Sequence, residues 1–196
     1  MNKRKLVLVH GLWNSPKLFF KLINYLNYYE LQCFAPSLPH SYGKVSLNKL
    51  AYNLNKLIIS ECGNNDQIDL LGFSMGGIVS RLWLQDYEGY KRINKFISVG
   101  SPQKGTLTAN IFFPLMFQGI SDMAIYSKLI KQLDKNSSFL TKVKCISYFS
   151  YWDLMVFPGW RAYLPYGEIY PINVFFHKQL ILNDMSIKII GKEILK

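Results

Sequence analysis

Acidic residues are scarce in this chain: 12 Asp and Glu stand against 23 Lys and Arg, a formal net charge of +11 over 196 residues. The deficit is concentrated in residues 1–60, where eight bases face the single acid Glu30, whereas residues 61–136 carry eight bases and seven acids. A basic surplus draws a protein towards anionic partners. Here the lysines are isolated among apolar residues, as in KLFFKLINYL, which reads first as a solvated helix face; peripheral contact with an anionic membrane surface is the sharper alternative. No nucleic-acid-binding motif accompanies the charge, so no nucleic-acid partner is expected. Cysteine is sparse too. Cys33, Cys62 and Cys145 are odd in number and lack metal-ligand spacing, which argues against a disulfide framework or a metal site and favours free thiols in a cytoplasmic protein. No apolar run reaches the roughly 18–20 residues of a membrane-spanning helix. The opening MNKRKLVLVHGLW sets basic residues before apolar ones, but its apolar part stops at Val9 and no small-residue cleavage site follows. It reads as a mature N-terminus running into a strand.

What remains is a globular composition, 49% hydrophobic and 15% aromatic, in a length suited to one well-filled core. Leu6–Val9 is a short apolar run, as expected of a strand covered on both faces. Ser15-Pro16 predicts a helix start, with Leu18, Phe19, Leu22, Ile23 and Leu26 at helical spacing. A second strand is predicted around Cys33 to Ala35, and Ser46 predicts the cap of an amphipathic helix that ECGNND ends. Ile68 to Gly72 is the next buried strand and Met75 to about Gln85 a helix; RINKFISVG and VKCISYFS are further strands. INVFF is read as the last strand and SIKIIGKEIL as a terminal helix. Short apolar strands alternating with helices predict one α/β domain over residues 1–196, a mostly parallel sheet with helices on both faces.

The stretch DLLGFSMGG crowds three glycines around Ser74 at a strand-to-helix junction. Gly72-Phe73-Ser74-Met75-Gly76 is G-x-S-x-G, a nucleophile elbow: a sharp turn presents the hydroxyl outward and brings neighbouring backbone too close for side chains at Gly72 and Gly76. Gly77 is expected to relieve the same crowding. The helix that starts after Ser74 points its free N–H groups, Met75 first, where an oxyanion would form.

An exposed serine reacts when a base can reach it. Of the three histidines, His10 follows the first strand and is expected to organise the loop there, whose Leu12 or Trp13 N–H would complete an oxyanion hole with Met75. His40, in a turn-rich loop, reads as exposed polar surface. His177, on the loop into the terminal segment, is the candidate base. The acid that orients it should follow another strand, between Ser74 and His177. Asp153 does so; Asp86 ends a helix, Asp122 and Asp134 lie in a helical insertion, and Glu168 precedes the last strand at the wrong end of the sheet.

In these motifs the chain resembles the α/β-hydrolase superfamily, and within it the small bacterial triacylglycerol lipases and esterases. LVLVHGLW is similar to their first strand and oxyanion loop, DLLGFSMGG to their elbow, FISVGSPQKGT to the strand and GxPHxGT turn that follow, SYWDLMVFP to the acid loop, and VFFHKQLILND to the GHxxLL base segment. Phe73, Gln103 and Phe176 depart from the His, His and Gly usual in lipases at those places. The resemblance implies a serine hydrolase for carboxylic esters, acting through Ser74, His177 and Asp153 and an acyl-enzyme, with no metal or organic cofactor. Alternatives are a thioesterase or acyltransferase of the same fold, or a non-catalytic lipid- or protein-binding domain on that scaffold. An insertion at about 106–140, including ANIFFPLMFQGI, suits a lid or pocket wall for an acyl chain, or else packing onto the sheet; MVFPGWRAYLPYGEIY is a second aromatic-rich loop beside the site.

Overall fold

The computed structural model describes residues 4–111 and 117–196. Six strands form one sheet: β1 (Lys5–Val9), β2 (Gln32–Phe34), β3 (Ile68–Phe73), β4 (Ile93–Val99), β5 (Lys144–Phe149) and β6 (Glu168–Pro171). Their order is β2-β1-β3-β4-β5-β6, and every neighbouring pair is parallel. β1 therefore lies between β2 and β3, and the chain reverses direction across the sheet there. In open α/β sheets such a switch point leaves a crevice at the strands' carboxyl ends. Val9 of β1 pairs with Gly72 of β3, so the residues that follow the two strands emerge side by side.

The eight α-helices among the described residues are α1 (Phe20–Leu26), α2 (Leu47–Cys62), α3 (Met75–Asp86), α4 (Leu107–Ile111), α5 (Gln118–Asp122), α6 (Lys128–Lys135), α7 (Gln179–Leu182) and α8 (Asp184–Leu195). Strand side chains alternate between two cores. Val7, Val9, Leu70 and Phe96 pack with α2, α3, α5 and α6, whereas Leu6, Leu8, Leu71 and Ile97 pack with α1, α7 and α8. This is why the strands read as unbroken apolar runs: both faces are dry.

The strands around β1, β3, β4 and β5 and the helices α2, α3 and α8 lie where the sequence predicts them. Ser46 caps α2, its Oγ accepting from the Lys49 N–H at 3.3 Å. Ser15 makes no such bond, and the helix after it begins as a 3-10 turn, Pro16–Phe19, before α1. INVFF is not the last strand. The pairing segment is Glu168–Pro171 just before it, and the four residues of β6 are all exposed at the sheet edge. The Ile172 N–H still donates to Phe149 O of β5 at 2.7 Å, but residues 172–176 form no strand, and the Ile172 and Val174 side chains pack into the second core. Of the insertion, residues 112–116 (FFPLM) lie outside the described residues. In the rest, Leu129, Ile130 and Leu133 of α6 join the core, and Ala109, Ile120 and Met123, part of the same core, also face a cavity together with Thr108.

Candidate active site

Ser74 sits between β3 and α3 with φ +55° and ψ −129°, a conformation that L-residues avoid. Its N–H donates to Val99 O of β4 at 2.9 Å, which ties the turn to the sheet. The glycines meet what the motif implied. A Cβ at Gly72 would stand 2.7 Å from the Gly77 nitrogen, one at Gly76 2.6 Å from His10 O, and one at Gly77 2.6 Å from Ser101 Cβ. Gly11, from the other strand, was not singled out: a Cβ there would lie 2.7 Å from Ser74 Cβ and 3.2 Å from Ser74 Oγ. Met75 opens α3, so its N–H belongs to the first turn, which has no intrahelical acceptors.

Asp153 lies in the loop after β5 and is buried. Its Oδ1 accepts the N–H groups of Met155 at 2.9 Å and Val156 at 3.2 Å, which leaves Oδ2 to face His177 Nδ1 at 2.6 Å. With Nδ1 donating to the carboxylate, Nε2 is the lone-pair nitrogen of the neutral ring. Nε2 is buried without a hydrogen-bond partner. The ring packs on Phe73, the residue before the serine, with centroids 4.8 Å apart. It also packs close to Gly100, where a Cβ would be 3.2 Å from His177 Cε1.

The loops that carry the acid and the base are held by bonds the sequence does not announce. Ser150 Oγ donates to Val174 O at 2.5 Å, and Gln179 Oε1 accepts the N–H groups of Phe175 and Phe176, each at 3.1 Å. Thr106 Oγ1 accepts the Phe157 N–H at 2.9 Å and lies 3.3 Å from Met155 O and Phe157 O. Arg161 Nε donates to Gly105 O at 3.0 Å. The turn after β4 thus clamps the acid loop across the site. Gln103, where lipases usually carry His, is buried and donates through Nε2 to Ser98 Oγ at 2.9 Å.

A cavity of about 440 Å³ opens at this end of the sheet. Ser74, His177 and Leu12 line it together, with Pro102, Ile120, Met123 and Val156 among its apolar walls. His10 and His40 stand to one side. His40 is half-buried rather than exposed, its ring centroid 5.9 Å from that of His10. His10 is fully buried, and burial pushes its pKa below the usual 6.5. The cysteines are free; burial raises Cys33 to about 11 and Cys145 to about 12, so neither is a nucleophile at neutral pH.

A family model for the alpha/beta hydrolase fold matches residues 5–141. The chain belongs to that family. Among solved structures, this α/β-hydrolase-fold chain is similar to the mature form of a Bacillus licheniformis lipase: TM-score 0.78, 16% identity, 99% of this chain and 92% of that one covered. It is also similar to lipase B of Aspergillus fumigatus, with TM-score 0.77 and 15% identity over 94% of this chain, which spans only 51% of the fungal one. A metagenomic carboxyl esterase gives TM-score 0.75 at 14% identity, over 98% and 76% of the two chains. At such identities the likeness establishes the fold. A comparison with curated proteins found no match. No helix among the described residues is long and apolar enough to cross a membrane.

Proposed function

We propose that this α/β-hydrolase-fold protein is a serine hydrolase for carboxylic esters with an apolar acyl chain. The observation that carries the reading is the 2.6 Å pair between His177 Nδ1 and Asp153 Oδ2, which leaves Nε2 without a hydrogen-bond partner on a ring that lines the cavity with Ser74. In the reaction, Ser74 Oγ attacks the ester carbonyl carbon while Nε2 takes its proton. The carbonyl oxygen becomes an oxyanion, received by the N–H groups of Met75 and Leu12. The C–O bond then breaks, and the imidazolium returns its proton to the departing alcohol. Water, deprotonated by the same nitrogen, cleaves the acyl-enzyme. Asp153 stays ionised throughout and stabilises the charged ring. The acyl chain fits the apolar walls, with α4 and α5 of the insertion as one side.

The same end of the molecule suits an anionic lipid surface as the source of such esters. Trp13, Tyr151, Trp152, Leu154, Phe175 and Phe176 are all more than half exposed around the triad. In residues 10–15, 100–123, 150–162 and 172–178 the acids are Asp122 and Asp153, both buried, whereas Lys104, Arg161 and Lys178 bring positive charge.

Incubation with a fluorophosphonate probe, read by intact mass, tests the chemistry. Single labelling of the wild type that disappears in Ser74→Ala is the expected result, and matched oxygen and thiol esters of one acyl chain then separate esterase from thioesterase. A folded wild type that stays unlabelled overturns the reading.

A further inference from the structure

The alcohol half of an ester has a fixed place in the reaction. When Ser74 Oγ bonds to the carbonyl carbon and the C–O bond breaks, the leaving oxygen takes its proton from His177 Nε2. The alcohol therefore departs on the side of that ring. A second cavity, of about 430 Å³, is lined by Trp13, Asn14, Ser15, Leu18, His40 and Tyr42. Trp13 and Asn14 line the first cavity too, so the two spaces are neighbours across one pair of residues. The turn Pro16–Phe19, which carries Leu18, packs on α7, the helix that begins directly after the His177 loop. The second cavity thus adjoins the first on the side of the base.

The two spaces differ in chemistry. The walls of the first suit an acyl chain, whereas the second sets the Trp13 ring beside an amide, two hydroxyls and an imidazole. Ser15 is exposed and its Oγ makes no capping bond, and Tyr42 is 75% exposed, so both hydroxyls are open to a ligand. Asn14 spends its Nδ2 on Leu12 O at 2.7 Å, which leaves Oδ1 as an acceptor. The backbone around this cavity is strained. Trp13, Ser41 and Tyr42 have φ of +57°, +45° and +56°, a region that residues other than glycine avoid. Such strain persists only where the surroundings enforce it, and it gathers at ligand sites. Here His40 Nε2 faces Asn14 O at 3.4 Å, and Gly43 lies so close to the first cavity that a Cβ would stand 2.8 Å from Ile120 Cγ1 and 3.4 Å from Leu12 Cδ1. We propose that the second cavity is the alcohol subsite and takes a short polyol of the glycerol type, its hydroxyls meeting Ser15, Tyr42 and Asn14 and its carbon face lying on Trp13. This rests on the serine-hydrolase reading and deepens it by naming the leaving group. An apolar alcohol gains less there, because it displaces water from these polar groups and returns no hydrogen bond.

Glyceryl monobutyrate and propyl butyrate test the subsite, because they share the acyl group and the three-carbon skeleton and differ only in two hydroxyls. Both form the same butyryl-enzyme, so the ratio of their kcat/KM values reads acylation, the step in which the alcohol is still bound. The double variant Ser15→Ala/Tyr42→Phe removes both hydroxyls from the cavity and adds no bulk. The intrinsic reactivities of the two esters are the same for either enzyme, so a change in the ratio belongs to the cavity. The glyceryl-to-propyl ratio is expected to fall about tenfold in the double variant; an unchanged ratio overturns the proposal. A second measurement needs no variant. With p-nitrophenyl butyrate as donor, glycerol and propanol at equal concentration compete with water for the butyryl-enzyme, the alcohol step run in reverse. The glyceryl ester should be the larger product, and an excess of propyl butyrate refutes the subsite. Fluorophosphonate labelling keeps the two levels apart. An unlabelled, inactive wild type brings down the hydrolase reading and the subsite with it, whereas a labelled one whose ratio ignores the double variant brings down the subsite alone.

Discussion

Asp153 spends both of its oxygens, and this makes its replacement by the isosteric amide informative. Oδ1 is committed to two backbone N–H donors, so an amide at this position must keep its oxygen there. Its NH2 then faces His177 Nδ1, now two donors across 2.6 Å unless the ring changes tautomer. The changed ring carries its hydrogen on Nε2 and cannot take one from Ser74. Asp153→Asn is therefore expected to lower kcat by about 10³–10⁴-fold with the fold retained, checked by steady-state hydrolysis beside a thermal melt. At this scale Ser74 and Asp153 were placed by the strands they follow, β3 and β5, whereas His177 was placed by INVFF, which is no strand, and comes near Asp153 through the loop after β6. Gly11, Gly100 and Thr106 could not be placed in this way. Their partners, Ser74, His177 and the 155–157 backbone, are remote in sequence, and no local pattern encodes a distant neighbour's position.

Elements show the same division. β3 and α3 could be read to within a residue because two continuously buried stretches meet at a glycine-crowded turn: all six residues of β3 are buried, as are the first ten of α3. β6 could not be read, because an exposed edge strand carries no apolar run, whereas Ile172 and Val174, buried but beyond the end of the strand, imitate one. The acid loop has no regular structure of its own and hangs on Thr106. Thr106→Val removes the acceptor for the Phe157 N–H, a half-buried group whose unmade bond costs on the order of 1–3 kcal/mol. Urea unfolding should show a loss of that size, together with lower kcat from a displaced Asp153. Thr106→Ser keeps the oxygen and should restore most of both.

Over the whole molecule, the two ends of the sheet differ in how their cations are paired. Lys5 and Lys91 meet Asp66 and Glu88 at the amino end, whereas Lys104, Arg161 and Lys178, beside the triad, make no ion pair among the described residues. The loops at the carboxyl end of the sheet combine exposed aromatics with cations, bury Asp122 and Asp153 and expose Asp184, which pairs with Lys21. Asp66, Glu88 and Glu168 lie at the other end, before or at the starts of β3, β4 and β6. Such an arrangement favours adsorption with the cavity facing an anionic surface. Cosedimentation with phosphatidylglycerol-containing vesicles is expected to fall as ionic strength rises, and to weaken when Trp152 and Phe175, whose rings meet at 6.0 Å, are both replaced by Ser. Binding that ignores both lipid charge and those two residues would refute the orientation.

The sequence by itself determined the alternation of strands and helices, the parallel sheet and the position of the strained serine, because periodic burial and glycine crowding are written in consecutive residues. Only the tertiary structure decided which strand closes the sheet, how the insertion serves both core and cavity wall, and which groups hold the oxyanion loop and the acid loop in place. Those outcomes depend on contacts between residues far apart in the chain: Leu38 with His10, Thr106 with Phe157, Gly11 with Ser74. Each is made only when β2, β1, β3, β4 and β5 stand side by side, since it is the pairing of the strands that brings their following loops within contact.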